Sequence, residues 1–201
     1  MPKVTIIDYK VGNIFSMYRS LERTGLKVEV SSNPEEILAS EGVVLPGVGA
    51  FGPAAKNLSP LKETINECIE QGTPFLGSCL GLQLFFDKSE ESTGEGLGII
   101  EGEVKRFRKE VKTPHMGWNN LKIAKETELL KGLTSESYFY FVHSYYVKPL
   151  RNEVTAAKTY YDVDFASVVA MDNLFGTQFH PEKSGEQGAQ ILRNFGELIK
   201  R

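Results

Sequence analysis

The chain has 201 residues, a net charge of −3, 41% hydrophobic and 24% charged residues, which is typical of a globular protein. A chain of this charge does not bind nucleic acid or an anionic membrane through bulk electrostatics. Its length suffices for a core without disulfides or metal, so we expect a single domain over residues 1–201.

The amino terminus, MPKVTIIDYK, has no charged stretch followed by a long apolar run, so it does not resemble a signal peptide. We find no apolar run near the ~20 residues of a membrane span. Cys68 and Cys79 are the two cysteines, too few for a disulfide framework, and we expect a cytoplasmic location.

Short apolar strands and amphipathic helices alternate in the first half of the chain. We expect strands over 4–7, 26–30, 42–45 and 74–77, and helices around 61–69 and 80–86. Two further helices are predicted after Asn13 and Asn33, which suit N-caps, and Pro34 suits the first helical position. This order predicts a parallel sheet with helices on both faces.

The second half is richer in β-branched and aromatic residues. It predicts strands over 99–107, 120–123, 138–147, 154–160, 165–169 and 174–179. A final amphipathic helix follows, with Ser184 and Gln187 as a capping box. We therefore expect an α/β fold with a mixed, mostly parallel central sheet and an additional antiparallel β region.

The segment Gly77-Ser-Cys79-Leu-Gly81 has the spacing of a nucleophile elbow, with cysteine in the place of serine. Glycines suit the cramped turn between strand and helix. A sulfur at a helix N-terminus is favoured as the thiolate. We expect Cys79 to be a nucleophile, whereas Cys68 lies in a predicted amphipathic helix and suits packing alone.

His180 is the best candidate for a base beside Cys79. It ends a predicted strand, and proline separates it from Glu182, so both side chains are expected on one side of an extended segment. Glu182 would then accept from Nδ1 and leave Nε2 free for the sulfur. His143, in an aromatic strand, and His115, in a predicted loop, lack such an acid.

Residues 47–52 fit G-x-G-x-x-G, a dinucleotide-binding pattern. They follow the third strand, two prolines bracket them, and no ribose-binding acid ends a strand about 20 residues later. We expect the loop to lie beside Cys79 instead, where Val48 or Gly49, together with Leu80, would donate amides to an oxyanion. The sequence shows no phosphate-binding loop or metal-ligand spacing, so we expect no cofactor.

These motifs together resemble the class I (triad) glutamine amidotransferases. Gly77-x-Cys79-x-Gly81-x-Gln83 and His180-Pro-Glu182 are similar to segments shared across that class. The segments at 46–52, 114–119, 141–146 and 178–184 resemble the branch formed by the glutaminase subunits of imidazole glycerol phosphate synthases. The resemblance covers essentially the whole chain.

The resemblance implies that Cys79 attacks the side-chain amide of glutamine. His180 then protonates the departing ammonia and activates the water that cleaves the thioester. It also implies a (β/α)₈-barrel cyclase subunit as partner, which uses the ammonia in histidine biosynthesis. The residues implied in glutamine binding are Gly47, Gln83, Glu91, Ser144 and Tyr145, and those implied in the partner interface are Asn13, Trp118, Asn119 and Lys183.

Two positions depart from the family pattern. Lys10 stands where a glycine is common, which affects the turn after the first strand. Ser78 replaces an aliphatic residue before the nucleophile, which affects packing at the elbow. Trp118 suits either an interface anchor or a core position.

Three other interpretations stay open from the sequence. The first is another class I amidotransferase, acting in pyridoxal phosphate or purine synthesis, and the 114–119 and 141–146 segments weigh against it. The second is a nucleotide-binding module that uses residues 47–52. The third is a cysteine peptidase or deglycase-type enzyme with the same elbow.

Overall fold

A computed structural model describes residues 1–200 of the chain. Its main feature is an eleven-stranded sheet in which nine strands run in the order β2-β1-β3-β4-β13-β12-β10-β6-β5 and β11 and β8 extend from β12. The separate pair β7–β9 forms a two-stranded ribbon. The strands are β1 (Lys3–Ile7), β2 (Lys27–Ser31), β3 (Gly42–Leu45), β4 (Phe75–Ser78), β5 (Phe86–Ser89), β6 (Ile100–Arg106), β7 (His115–Asn120), β8 (Lys122–Ile123), β9 (Tyr138–His143), β10 (Tyr145–Pro149), β11 (Thr155–Tyr161), β12 (Val163–Met171) and β13 (Leu174–Thr177).

Within residues 1–200, six α-helices cover the sheet, and short 3₁₀ turns join some of the elements. No helix within residues 1–200 combines the length and the apolar character needed to cross a bilayer. The helices are α1 (Ile14–Glu22), α2 (Pro34–Leu38), α3 (Phe51–Leu58), α4 (Lys62–Glu70), α5 (Leu80–Gln83) and α6 (Gly185–Ile199).

The predicted fold class is confirmed by the strand pairing. Strands β2, β1, β3, β4 and β13 pair in parallel. Strands β12, β10 and β6 continue the sheet through antiparallel pairs. The carboxyl ends of β3, β4 and β13 therefore meet at one edge, where ligands bind in open α/β sheets.

The parallel strands are apolar throughout because both of their faces are buried. Successive residues point to opposite faces: Ile6 packs in a core with α1 and α6, whereas Ile7 packs in a second core with α3 and α4. The same alternation holds for Val43 and Val44 in β3. This double burial explains the continuous apolar runs in the sequence.

Helix capping confirms two predictions and corrects one. Asn13 Oδ1 accepts from the amide of Ser16 at 3.3 Å, and Asn33 Oδ1 accepts from that of Glu35 at 2.9 Å. The prediction that Ser184 and Gln187 form a capping box is wrong, because the Ser184 side chain makes no capping hydrogen bond. Ser184 Oγ instead donates to His180 O at 2.6 Å and accepts from the Tyr140 amide at 2.9 Å, so this hydroxyl ties α6 to the ribbon.

Several element boundaries differ from the sequence prediction. The helix predicted over 80–86 ends at Gln83, and Phe86 begins a strand that pairs with β6. The strand predicted over 138–147 is broken at Ser144, so that β9 and β10 belong to different sheets. His115 lies in β7 and not in a loop. Each difference lies where long-range pairing, which local pattern does not encode, decides the conformation.

Candidate active site

Cys79 lies at the turn between β4 and α5, with φ +53° and ψ −104°. This left-handed conformation is strained for any residue except glycine, and such strain is typical of a nucleophile elbow. The flanking glycines permit the turn. A Cβ on Gly81 would lie 1.9 Å from the carbonyl oxygen of Leu45, and one on Gly77 would lie 2.5 Å from the ring of Phe85.

His180 follows β13 and contacts Glu182. His180 Nδ1 lies 2.9 Å from Glu182 Oε1, and the two side chains are only 2% and 3% exposed. His180 itself is extended, as predicted, but Pro181–Lys183 form a 3₁₀ turn. The predicted extended pair is thus wrong in detail, because the turn and not strand alternation brings Glu182 to the imidazole.

Three effects set the charge of His180. Burial lowers the pKa of His180, whereas the Cys79 sulfur and the Glu182 carboxylate raise it, so that the net pKa rises to about 10. His180 Nε2 is buried and has no hydrogen-bond partner within residues 1–200. The arrangement therefore favours the protonated imidazole of His180 beside the Cys79 sulfur, which suits proton transfer in nucleophilic catalysis.

Gln178 is a site residue that the sequence reasoning missed. Its Nε2 lies 3.7 Å from Cys79 Sγ, and its Oε1 accepts from Gln83 Nε2 at 3.3 Å. The side chain is fully buried. A signal was present, because Gln178 lies two residues before His180 in the segment predicted as extended, where alternate side chains point to the same side.

The glycine segment lies beside the elbow. Val48 and Gly49 line the cavity above Cys79, and no backbone hydrogen bond within residues 1–200 uses either amide. The Leu80 amide is less free, because it points to the Gly47 carbonyl at 3.4 Å. Tyr9 anchors the segment by donating its hydroxyl to Pro46 O at 2.7 Å.

Gly47 does not line this cavity, and its role in glutamine binding stays a prediction. It is buried, and a Cβ there would lie 2.7 Å from the Leu80 Cβ and 2.8 Å from the Tyr9 hydroxyl. The role that the packing gives this glycine is therefore close approach between the glycine segment and the elbow.

Glu91 occupies the helix end that a bound phosphate would need. Its Oε2 accepts from the Phe51 amide in the first turn of α3 at 2.7 Å. A carboxylate satisfies the amide and the helix dipole there. This observation weighs against the nucleotide-binding interpretation of residues 47–52.

A cavity of about 280 Å³ gathers most of the predicted site residues. Its size lies near the lower end of the roughly 300–1,000 Å³ typical of small-molecule sites, which suits a ligand as small as an amino acid. Val142, His143 and Pro114 were not predicted as lining residues. The wall comprises Val48, Gly49, Cys79, Leu80, Gln83, Glu91, Pro114, Val142, His143, Ser144, Tyr145 and His180.

The four predicted interface residues differ in exposure. Trp118 is 57% exposed, which excludes the core position, and its ring lies 6.0 Å from that of Tyr140 on the outer face of the ribbon. Lys183 is exposed, and Asn13 is half-buried as a cap. The Asn119 amide turns inward instead, donating to Tyr160 O at 3.0 Å.

The chain is similar to known proteins over nearly its whole length. The family model described as glutamine amidotransferase class-I matches residues 5–198. The chain is 50% identical over 197 residues to the imidazole glycerol phosphate synthase subunit HisH of Methanocaldococcus jannaschii, covering 98% of this chain and 100% of that protein. It is 47% identical to the HisH subunit of Pyrococcus furiosus, again covering 98% and 100%.

Solved structures share the fold at lower identity. The PurLQS structure from Thermotoga maritima matches with a TM-score of 0.81 and 17% identity, covering 98% of both chains. The glutaminase domain of Trypanosoma brucei CTPS, solved with acivicin bound, matches with a TM-score of 0.72 and 15% identity, covering 100% of this chain and 94% of that one. On the family match and the full-length relatives, this chain is a member of the class-I glutamine amidotransferase family.

Proposed function

We propose that the chain is the glutaminase subunit of an imidazole glycerol phosphate synthase. The observation that carries this proposal is its similarity to HisH subunits, with 50% identity over nearly the full length of both chains. The subunit hydrolyses glutamine to glutamate and ammonia as one domain. It passes the ammonia to a cyclase subunit, which forms imidazole glycerol phosphate and aminoimidazole carboxamide ribotide in histidine biosynthesis.

In the proposed mechanism the Cys79 thiolate attacks the side-chain amide carbon of glutamine. The resulting oxyanion accepts hydrogen bonds from the amides of Val48 or Gly49, with Leu80 as a further donor once its contact with Gly47 opens. His180 protonates the leaving ammonia, which leaves a thioester on Cys79. The same imidazole then activates water, and hydrolysis of the thioester releases glutamate and restores the thiolate.

Glu182 and the cavity residues support these steps. Glu182 holds the proton of His180 on Nδ1 and stabilises the imidazolium. Gln83, Ser144 and Tyr145 line the cavity, which supports a role for them in binding the main-chain groups of glutamine. One oxygen of Glu91 stays available for the ammonium group, because only Oε2 is engaged by the Phe51 amide.

We propose a heterodimer with a (β/α)₈-barrel cyclase through the surface around Asn13, Trp118, Asn119 and Lys183. Trp118 supports this surface, because an exposed tryptophan is a common interface anchor. An enclosed path for ammonia has a chemical reason, since ammonia in water near neutral pH is mostly protonated and then not nucleophilic. Two free, buried cysteines suit the reducing cytoplasm.

The test is glutamate release from glutamine by the unmodified chain and by Cys79→Ala. Each is assayed alone and with the cyclase subunit of the same organism loaded with its ribonucleotide substrate. We expect turnover that requires Cys79 and rises with the loaded partner. Turnover that is indifferent to this partner would leave a glutaminase of another class I amidotransferase, and activity on peptides but not on glutamine would favour a peptidase.

A further inference from the structure

Two buried histidines outside the proposed triad form a continuous chain of hydrogen bonds. Asn119 Nδ2 lies 3.3 Å from His115 Nε2, and His115 Nδ1 lies 3.0 Å from His143 Nε2. His143 Nδ1 lies 2.8 Å from the carbonyl oxygen of Tyr145. This hydrogen-bond chain runs from the ribbon that carries Trp118 to the Ser144–Tyr145 segment, which lines the proposed glutamine cavity.

Backbone groups at both ends of the hydrogen-bond chain determine which atoms donate and which accept. At one end Asn119 Oδ1 accepts from the Asn120 amide at 2.9 Å and its Nδ2 donates to Tyr160 O at 3.0 Å, so the nitrogen faces His115. At the other end the Tyr145 carbonyl can only accept, so His143 Nδ1 carries a proton.

One arrangement of protons satisfies every contact with neutral rings. His143 donates from Nδ1 and accepts at Nε2, so His115 donates to it from Nδ1. His115 Nε2 then accepts from Asn119. A neutral imidazole has one donor and one acceptor, and both rings use each of them once.

The surroundings keep both rings neutral. His115 stacks between Phe141 at 4.9 Å and Tyr161 at 4.1 Å, and His143 packs against Phe165 at 5.2 Å. Burial lowers the pKa of His115 to about 4. Burial likewise lowers the pKa of His143 to about 3, with the neighbouring His115 and His180 acting in the same direction and the hydrogen bond to the Tyr145 carbonyl opposing them.

At the Tyr145 carbonyl, the hydrogen-bond chain meets a second set of contacts that leads to the Cys79 sulfur. The Tyr145 carbonyl also accepts from Gln83 Nε2 at 3.0 Å, and Gln83 contacts Gln178, which contacts the Cys79 sulfur. Tyr145 follows Ser144, where the chain passes from the ribbon to the main sheet. Two side-chain donors thus hold one carbonyl at the strand break.

We propose that His115 and His143 are positioning residues that hold the Ser144–Tyr145 segment in its glutamine-binding geometry, each as the neutral tautomer with its proton on Nδ1. Neither ring donates or removes a proton in the reaction. This inference rests on the proposed function only in that the segment binds glutamine. The hydrogen-bond chain itself is independent of turnover.

The direct test is the ¹⁵N NMR signature of the histidine rings in the uniformly labelled, unmodified chain. We expect His115 and His143 to show a protonated Nδ1 and an unprotonated Nε2, without titration between about pH 5 and 8. A protonated Nε2 in either ring, or titration of either near pH 6.5, would overturn the proposal. This measurement requires no glutaminase activity, so a failure of the proposed function can be distinguished from a failure of the proposal on the two histidines.

The functional test compares His143→Asn with His143→Leu. Asparagine places an N–H close to the position of Nδ1, whereas leucine leaves the Tyr145 carbonyl with Gln83 alone. We expect His143→Leu to raise KM for glutamine about tenfold, corresponding to about 1.4 kcal/mol, with a smaller change in kcat. His143→Asn should have a KM close to that of the unmodified chain. Equal KM values for the two variants would contradict a positioning role.

Tyr161→Phe is the matched control for these variants. Tyr161 packs on His115 in the same aromatic cluster, but its hydroxyl donates to Lys112 O and takes no part in the chain. We expect KM for glutamine to be unchanged in this variant. A rise equal to that of His143→Leu would assign the effect to a general disturbance of the aromatic cluster and refute the proposal. The NMR result on the unmodified chain stands even where a variant does not fold.

Discussion

The side-chain nitrogen of Gln178 lies 3.7 Å from the sulfur of Cys79, and both residues are buried. The orientation of this amide is fixed, because its oxygen accepts from Gln83 Nε2 at 3.3 Å. Gln178 therefore directs a donor, and not an acceptor, to the Cys79 sulfur. A donor stabilises the thiolate, whereas a carboxylate in the same position would oppose it.

Replacing Gln178 separates these effects. We expect Gln178→Glu to slow the alkylation of Cys79 by iodoacetamide at neutral pH at least about tenfold, since a buried carboxylate disfavours a neighbouring thiolate. Gln178→Met, which fills similar space without charge, should slow it less. The measurement is the rate of thiol modification in the unmodified chain and both variants. Equal rates in Gln178→Glu and Gln178→Met would show that the amide does not influence the sulfur.

The charge on His180 gives a prediction on pH. Its pKa in the folded chain, about 10, exceeds the ordinary 6.5 because the Cys79 and Glu182 charges outweigh burial. A raised pKa stabilises the fold fully at pH below the unfolded value and loses that contribution as the pH rises to the folded value. The contribution from His180 should therefore decline between about pH 6.5 and 10.

Cys79→Ala removes one of the two charges and should lower the pKa of His180. We expect the variant to lose less stability than the unmodified chain when the pH is raised from about 6.5 to 9.5. Urea unfolding at several pH values measures the difference, and ¹⁵N NMR of His180 gives the pKa directly. An unchanged pKa in Cys79→Ala would show that the sulfur carries no charge beside the imidazole.

Substituting the glycines near the site by alanine is expected to have two different effects. An alanine Cβ at position 81 would lie 1.9 Å from the Leu45 carbonyl oxygen, so we expect Gly81→Ala to lower the free energy of unfolding by about 3 kcal/mol. A Cβ at position 49 would meet no heavy atom within 4 Å, but the φ of this residue is +109°. Gly49→Ala should therefore lower the free energy of unfolding by only about 1–2 kcal/mol, through backbone strain. Turnover should nevertheless fall, because the loop carries the proposed oxyanion donors.

Gly72→Ala is the control for Gly49→Ala. Gly72 has a φ of +80° and no heavy atom within 4 Å of an added Cβ, and it precedes β4 at the end remote from Cys79. The two variants should show a similar loss of stability by urea unfolding, and only Gly49→Ala should lose glutaminase turnover. Equal turnover in both would place the oxyanion donors elsewhere.

The sequence predicted the parallel half of the fold and the elbow because local signals carry both. Double burial makes strands such as β3 continuously apolar, and the glycines around Cys79 report a turn that tolerates no side chain. The parallel pairing of β4 and β13 explains why Cys79 and His180 lie together, because the carboxyl ends of neighbouring parallel strands share an edge.

Long-range contacts explain what the sequence did not predict. Ser184 has the residue type and position of a cap, but the His180 carbonyl and the Tyr140 amide use its hydroxyl. His115 follows Pro114 and resembles a loop residue, yet pairing with His143 across the ribbon makes it part of β7. Gln83 and Gln178 are 95 residues apart in the chain, and no spacing rule links them.

Trp118 gives the last prediction, on the partner surface. It is 57% exposed, and its ring forms a T-shaped pair with that of Tyr140, so truncation is expected to remove little from the fold of the isolated chain. Burial of this ring by the cyclase would make it a binding hot spot, worth about 2 kcal/mol or more. We expect Trp118→Ala to weaken cyclase binding at least about 30-fold, measured by titration calorimetry, with an unchanged melting temperature of the free subunit. Leu150→Ala is the control, because Leu150 is 75% exposed and follows the end of β10 remote from Tyr145; similar losses for both variants, or none for Trp118→Ala, would place the cyclase on another surface.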